Sequence, residues 1–125
     1  MKEEFLHKAE ENLKIAQISF ELECYNVSAN RAYFAAFQAA IAALADKGVL
    51  SKGRNDHKWV QSEFNLRLIK CEKLYPSDFK KYPLDMQSVR NLADYSDQNI
   101  GKKIACKQLE RATELIQHIE TEVRK

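Results

Sequence analysis

The apolar positions of this 125-residue chain fall into five runs, and the longest sets the arrangement of the rest. From Asn26 to Gly48, NVSANRAYFAAFQAAIAALADKG, Ala, Phe, Ile, Leu and Tyr cover both flanks of a helix about six turns long. A helix apolar nearly all round belongs inside a core. Asn30, Arg31 and Gln38 interrupt it, and such groups cost free energy when buried without partners. Arg31 and Gln38 are seven residues apart, so at about 100° per residue they share one line of the helix surface. The central helix thus carries one polar line along an apolar rod.

Before it, Phe5, Ala9, Leu13, Ala16 and Phe20 recur at spacings of four, four, three and four, with Leu6, Ile15, Ile18 and Leu22 widening the stripe. This predicts a first amphipathic helix from Glu3 to Glu23. Cys24 and Tyr25 lead to Asn26, a preferred N-cap residue, and so short a turn sets the two helices antiparallel. Gly48 suits the position just past the end of the second helix. Residues 49–56, VLSKGRND, have loop chemistry, and Asn55 or Asp56 caps a third helix whose Trp59, Val60, Phe64, Leu68 and Ile69 face the core. Pro76 and Pro83 break the stretch CEKLYPSDFKKYPLD, leaving room for a single helical turn between them.

Leu84 or Asp85 opens a fourth helix through Tyr95, with Met86, Val89, Leu92 and Ala93 as its apolar side. After a loop from Ser96 to Gly101, the last helix runs from Lys102 to Arg124. Its Ala105, Leu109, Ala112, Ile116, Ile119 and Val123 alternate four and three, the seam of a helix packed along a partner at a shallow angle. Arg124 and Lys125 end it against the negative end of the helix dipole. No stretch alternates convincingly with period two. The expected fold is all-α: an up-and-down antiparallel bundle of five helices plus one short turn, in a single domain over residues 1–125.

Composition narrows this further. Only 3 Gly and 2 Pro leave little material for turns, and 45% hydrophobic with 30% charged residues is the balance of a folded globular chain. A formal charge of +2, from 20 basic and 18 acidic residues, is too even to argue nucleic-acid binding from charge alone, so any such site must be local. Cys24, Cys71 and Cys106 are odd in number and form no Cys-x-x-Cys pair, which suggests neither a disulfide framework nor a zinc ribbon and fits a reducing compartment. The N-terminal MKEEFLHKAEENLK is charged where a signal peptide needs an apolar core, and no apolar run reaches membrane-spanning length. A cytoplasmic protein without membrane contact is expected.

Two constellations carry candidate chemistry. Arg31, beside Asn30, either snorkels to solvent or pairs with a carboxylate, or else offers its planar fork of donors to a phosphate. In SVRNLADYSD, Ser88 to Asp97, Arg90 and Asp94 are four apart and can pair on one face, yet Asn91, Tyr95, Ser96 and Asp97 add more polar groups than a solvated face requires. No metal site or cofactor is indicated: the single Glu-x-x-His, Glu4 to His7, lacks the second copy that a two-metal bundle needs, and His57 and His118 stand alone in the sequence. There is neither a Gly-rich phosphate loop nor a Gly-x-Ser-x-Gly elbow, so no Ser nucleophile is nominated.

The residues Asn30 to His57, NRAYFAAFQAAIAALADKGVLSKGRNDH, and the later VRNLADY resemble the signature of HEPN-domain proteins, in particular their small stand-alone (UPF0332-like) branch. The shared features are an Arg-Ala-Tyr-Tyr/Phe-Ala-x-Phe helix, a Lys-Gly turn, a Ser-Lys loop leading to a His, and an Arg-x-x-Ala-Asp-Tyr segment. The resemblance implies a helical bundle, usually a homodimer, that binds nucleotides or RNA and is often paired with a small nucleotidyltransferase as toxin and antitoxin. It implies phosphate-binding roles for Arg90 and Arg31, with Asn30, Asp94 and the loop residue His57 beside them.

Active ribonucleases of that family carry Arg-x(4 to 6)-His, and Arg90 matches the Arg. At the three positions where the His would fall stand Tyr95, Ser96 and Asp97. Metal-free RNA cleavage needs a group that takes a proton from the 2′-hydroxyl and returns one to the leaving oxygen, work suited to the near-neutral pKa of His; a tyrosine, at about 10, needs a large shift to act as base. Arg90 and Tyr95 are the nearest to catalytic candidates. The leading expectation is an RNA- or nucleotide-binding module lacking the catalytic His. Its alternatives are a metal-independent toxin ribonuclease with a relocated acid/base, in which His57 substitutes, and a non-catalytic helical interaction protein whose polar line is a buried network.

Overall fold

The computed structural model describes residues 1–50 and 57–125, and the described residues form helices and turns without a strand. Five helices run in the order α1 (Lys2–Glu21), α2 (Tyr25–Asp46), α3 (His57–Glu63), α4 (Tyr82–Tyr95) and α5 (Lys102–Val123). α3 continues into a π-helical segment, Phe64–Cys71, and a 3₁₀ turn, Ser77–Lys80, fills the space expected between the two prolines. The architecture is the expected all-α bundle.

α2 is the hub, packed against α1, α3, α4 and α5. All its residues from Ala39 to Leu44 are buried, as are Ala32, Tyr33, Ala35 and Ala36. Alanines let backbones approach closely: Ala9 and Ala16 of α1 are fully buried, and Ser28 Oγ of α2 donates 2.8 Å to the carbonyl oxygen of Ala16. At the other end of this hairpin Lys2 Nζ pairs with Asp46 at 2.9 Å. Leu109, Ala112, Ile116, Ile119 and Val123 of the four-three seam, joined by Leu115, bring α5 into the same core, while Ala105 packs in a second cluster with Ala29 and Ile100.

The two helices of the α1–α2 hairpin end the same way. At Gly48, φ is +78°, the Gly48 N–H bonds the Ala45 carbonyl and the Val49 N–H bonds the Leu44 carbonyl, a Schellman ending that needs the left-handed backbone glycine adopts without cost. α1 closes identically through Glu23, at φ 64°, with Glu23 N–H to Phe20 and Cys24 N–H to Ser19.

Several local expectations need correction. Asn26 does not cap α2, because the helix begins one residue earlier with Cys24 before it. Asn26 instead accepts the Ile100 N–H at 2.8 Å and donates to Asn99 at 3.1 Å, tying the α1–α2 turn to the loop before α5. Pro83 does not delay α4 but sits in its first turn, where a missing N–H has no intrahelical acceptor to lose. Ile15, Ile18 and Leu22 do not widen the buried stripe of α1; all three are exposed. The expected caps Asn55 and Asp56, and the Ser-Lys loop, lie outside the described residues.

Candidate functional site

The polar line of α2 meets α1 on one side and α4 on the other. Asn12 Nδ2 of α1 donates to Gln38 Oε1 at 2.6 Å, and Arg31 Nη1 donates to Asn12 Oδ1 at 3.2 Å. Arg31 Nε donates to Asn30 Oδ1 at 2.8 Å, and Asn30 Nδ2 donates in turn to Asp94 Oδ2 of α4 at 2.7 Å. Arg90 completes the chain: its Nε lies 3.1 Å from the same Asp94 oxygen. That contact is an ion pair rather than a hydrogen bond, and the buried Arg90 Nε–H has no aligned acceptor. Its other nitrogens reach Asn91 Oδ1 at 3.3 Å and Tyr95 Oη at 3.5 Å.

Aromatic rings support both guanidiniums. Arg31 lies over Phe34 at 5.3 Å and Arg90 over the same ring at 5.1 Å, while Tyr95 and Tyr33 contact Arg90 at 5.4 and 5.9 Å. The negative face of each ring favours a cation near it. Two fixed positive charges therefore share Phe34 with one carboxylate, Asp94, between their networks. Partial burial strengthens that imbalance, since the Arg90 side chain is only 16% exposed and that of Asp94 26%.

His57, isolated in the sequence, is not isolated in the fold. Its imidazole stacks on Phe37 at 4.4 Å and on Tyr33 at 5.3 Å, with Phe34 edge-on at 6.1 Å. Its Nδ1 and Tyr33 Oη share a hydrogen bond. Gln61 Nε2 donates to that hydroxyl at 3.4 Å and to Gln87 Oε1 at 3.0 Å. Burial pushes the Tyr33 phenol up to about 12, with the Gln61 hydrogen bond and the Arg90 charge opposing. Tyr33 is thus a neutral link between the imidazole on one side and the Arg90 guanidinium on the other.

With that geometry in place, the family can be stated: the model described as HEPN domain matches residues 2–122. The chain belongs to the HEPN domain family. Among curated proteins, none matches it significantly.

In this HEPN domain, Asn30, Arg31, Arg90, Asp94 and Tyr95 come together in one cluster of hydrogen bonds joined by the Arg90–Asp94 ion pair, and His57 stands next to it through Tyr33. Of the three positions that the resemblance assigned to a histidine, Tyr95 reaches Arg90. The Ser96 hydroxyl accepts the Gln98 N–H at 2.9 Å, a local turn leading out of α4. The sequence pointed to the polar line but not to Asn12, Tyr33, Phe34, Gln61 or Gln87. The unsatisfied donors of Arg31 signalled that a partner was needed; which residue of α1 supplies it depends on hairpin register.

Among the described residues, the donors of Arg31 and Arg90 face Asn30, Asn12, Asp94, Asn91 and Tyr95. A groove of about 660 Å³ between α1 and α5 lies elsewhere, lined by Phe20, Lys102, Lys103, Cys106, Lys107 and Glu110. No group of three or more potential metal ligands occurs among the described residues, and no helix among them is long and apolar enough to cross a membrane. His118 sits in a structural role, its Nε2 3.2 Å from the Leu74 carbonyl oxygen and its ring between Tyr75 and Phe79.

Proposed function

We propose that this HEPN domain binds RNA or a nucleotide, with Arg31 and Arg90 taking the phosphate, Asn30 and Asp94 holding them in place, and Tyr95 and His57 offering flat surfaces to a base. The observation that carries the reading is the pair of guanidiniums on Phe34 sharing a single carboxylate, with the Arg90 Nε–H lacking an aligned acceptor. A planar fork so placed suits a phosphate. The domain belongs with the small stand-alone branch, acts in the cytoplasm, and is the HEPN half of a toxin and antitoxin pair with a small nucleotidyltransferase. The support for that pairing is the sequence resemblance.

Titration with fluorescent single-stranded RNA across a salt series tests the binding. For two phosphate contacts log Kobs falls with log salt at a slope of about −1.4, and Arg90→Ala brings it to about −0.7 while weakening affinity. Binding that ignores Arg90→Ala sinks the reading. One observation favours the interaction-protein alternative: Arg31 Nε and Nη1 already have acceptors in Asn30 and Asn12, and pairing alone satisfies such groups. Absence of RNA and nucleotide binding at low salt selects it. A ribonuclease with relocated acid/base draws its support from His57, hydrogen-bonded to Tyr33 beside Arg90. RNA cleavage by the purified protein, lost in His57→Ala, is the result that reading requires.

A further inference from the structure

The seam between α1 and α5 carries charge that the fold does not use. Its groove of about 660 Å³ has the size of a small-molecule site and a mostly apolar lining, to which α1 gives the half-buried Phe20 and α5 gives Cys106. Lys102, Lys103 and Lys107 line the same groove and are exposed, yet none of them pairs with a carboxylate among the described residues. Glu110, the one acid in this lining, accepts a hydrogen bond from Cys106 Sγ at 3.5 Å instead. A second groove, of about 340 Å³, shares Cys106 and Glu110 with the first and continues the seam past Gln17, Leu109 and Thr113. Glu114 lines that continuation, so the seam is basic at its Lys102 end and acidic beyond Lys107. From Lys102 to Thr113 it follows about three turns of α5, or roughly 16 Å.

We propose that this seam binds a single-chain amphipathic anion, a long-chain carboxylate, with its head among Lys102, Lys103 and Lys107 and its alkyl tail along Cys106, Leu109 and Thr113. Each part of the ligand is selected by what lines the seam. Lysine ammoniums are compact point charges that hold an anionic oxygen without requiring a planar partner, and their methylene stems add apolar surface beside Phe20. The alkyl tail gains by leaving water along that lining. Glu110 and Glu114 repel the head, which fixes the direction in which the molecule lies. A nucleic-acid strand gains less: the lining beyond Lys107 is acidic, and Phe20, the single aromatic residue of either lining among the described residues, packs at 5.6 Å against Tyr25. An anionic bilayer would meet the exposed Glu110 and Glu114, whereas one molecule lying in the seam directs only its tail past them. Neither Arg31 nor Arg90 lines the seam, so the site stands independently of the RNA or nucleotide reading.

The test is alkylation of the full chain by N-ethylmaleimide, resolved by peptide in mass spectrometry, with dodecanoate kept below its micelle concentration. Cys24 and Cys71 are exposed and line neither groove, so they serve as internal controls. Dodecanoate is expected to slow reaction at Cys106 saturably and by about tenfold, leaving Cys24 and Cys71 unchanged. Octanoate, with its shorter chain, needs about tenfold more ligand for the same protection, because each methylene removed from water adds to binding. The variant K103E/K107E loses the protection when each preparation is compared with itself without ligand; both positions are exposed, and thermal unfolding checks that the variant is folded. Cys106 reactivity untouched by dodecanoate overturns the proposal, and so does equal slowing at all three cysteines, the mark of general surfactant association. Protection that survives in K103E/K107E overturns the assigned head site. Protection by single-stranded RNA or by phosphatidylglycerol vesicles, with none by dodecanoate, overturns the assigned occupant.

Discussion

The Arg90–Asp94 contact gives the sharpest separation between a binding site and a structural network, through Asp94→Asn. Asparagine keeps the shape and the oxygen that accepts from Asn30 Nδ2, so the substitution removes charge and little else. At 3.1 Å and an effective dielectric of about 20, the gross attraction lost is about 5 kcal/mol. Desolvation of the half-buried Arg90 and solvent screening at Asp94 offset most of it, leaving an expected destabilisation of about 1 kcal/mol in urea unfolding. Binding moves the other way. The carboxylate competes with phosphate for the same guanidinium, so its neutralisation raises affinity for single-stranded RNA about tenfold, or 1.4 kcal/mol. Urea denaturation and fluorescence titration on the same preparation measure the two. Lost stability with unchanged or weaker binding refutes the reasoning, because Arg90 would then serve only to pair with Asp94.

Two further outcomes follow from the fold and from burial. Glu23→Gly removes a side chain from a left-handed backbone position at φ 64° and is expected to stabilise the protein by about 0.5–1 kcal/mol; a fall in Tm would show that Glu23 makes a compensating contact. Burial raises Tyr33 to about 12 and shifts Tyr75 upward as well, so folding keeps these phenols protonated. The stability this gives is fully present below about pH 10, the ordinary phenol value, and is lost as pH rises through about 12. Phenolate absorbance during alkaline titration, with and without denaturant, reads the difference, and coincident curves would contradict the assigned burial of Tyr33.

The helices were legible because each repeats its apolar residues with helical period, and α2 was legible as the hub because its apolar residues leave almost no polar flank. Gly48 declared its own turn; Glu23 did not, since nothing about glutamate announces a left-handed backbone. The π-helical widening at Phe64–Cys71 was hidden because Phe64, Leu68 and Ile69 satisfy a four-residue spacing as readily as a wider turn. Asn26 looked like a cap from its neighbours alone, while the group that claims it, the Ile100 N–H, is distant in sequence. The candidate site shows the same division. Asn30, Arg31 and Gln38 mark a line on one helix and Arg90 and Asp94 a pair on another, local patterns both. That Asn12 closes one end and that Phe34 carries both arginines depends on how the helices are set side by side, which periodicity does not record.

A hub helix also has a history within the life of each molecule. α2 leaves the ribosome with apolar residues on nearly every side, and α1 can cover only part of it. The partners that cover the rest, α4 and α5, are made last. At roughly 5–20 residues per second the interval between completing α2 and completing α5 is on the order of 4–15 s. Throughout it the nascent chain presents a partly uncovered apolar rod, so the hazard of aggregation falls on synthesis rather than on the finished fold.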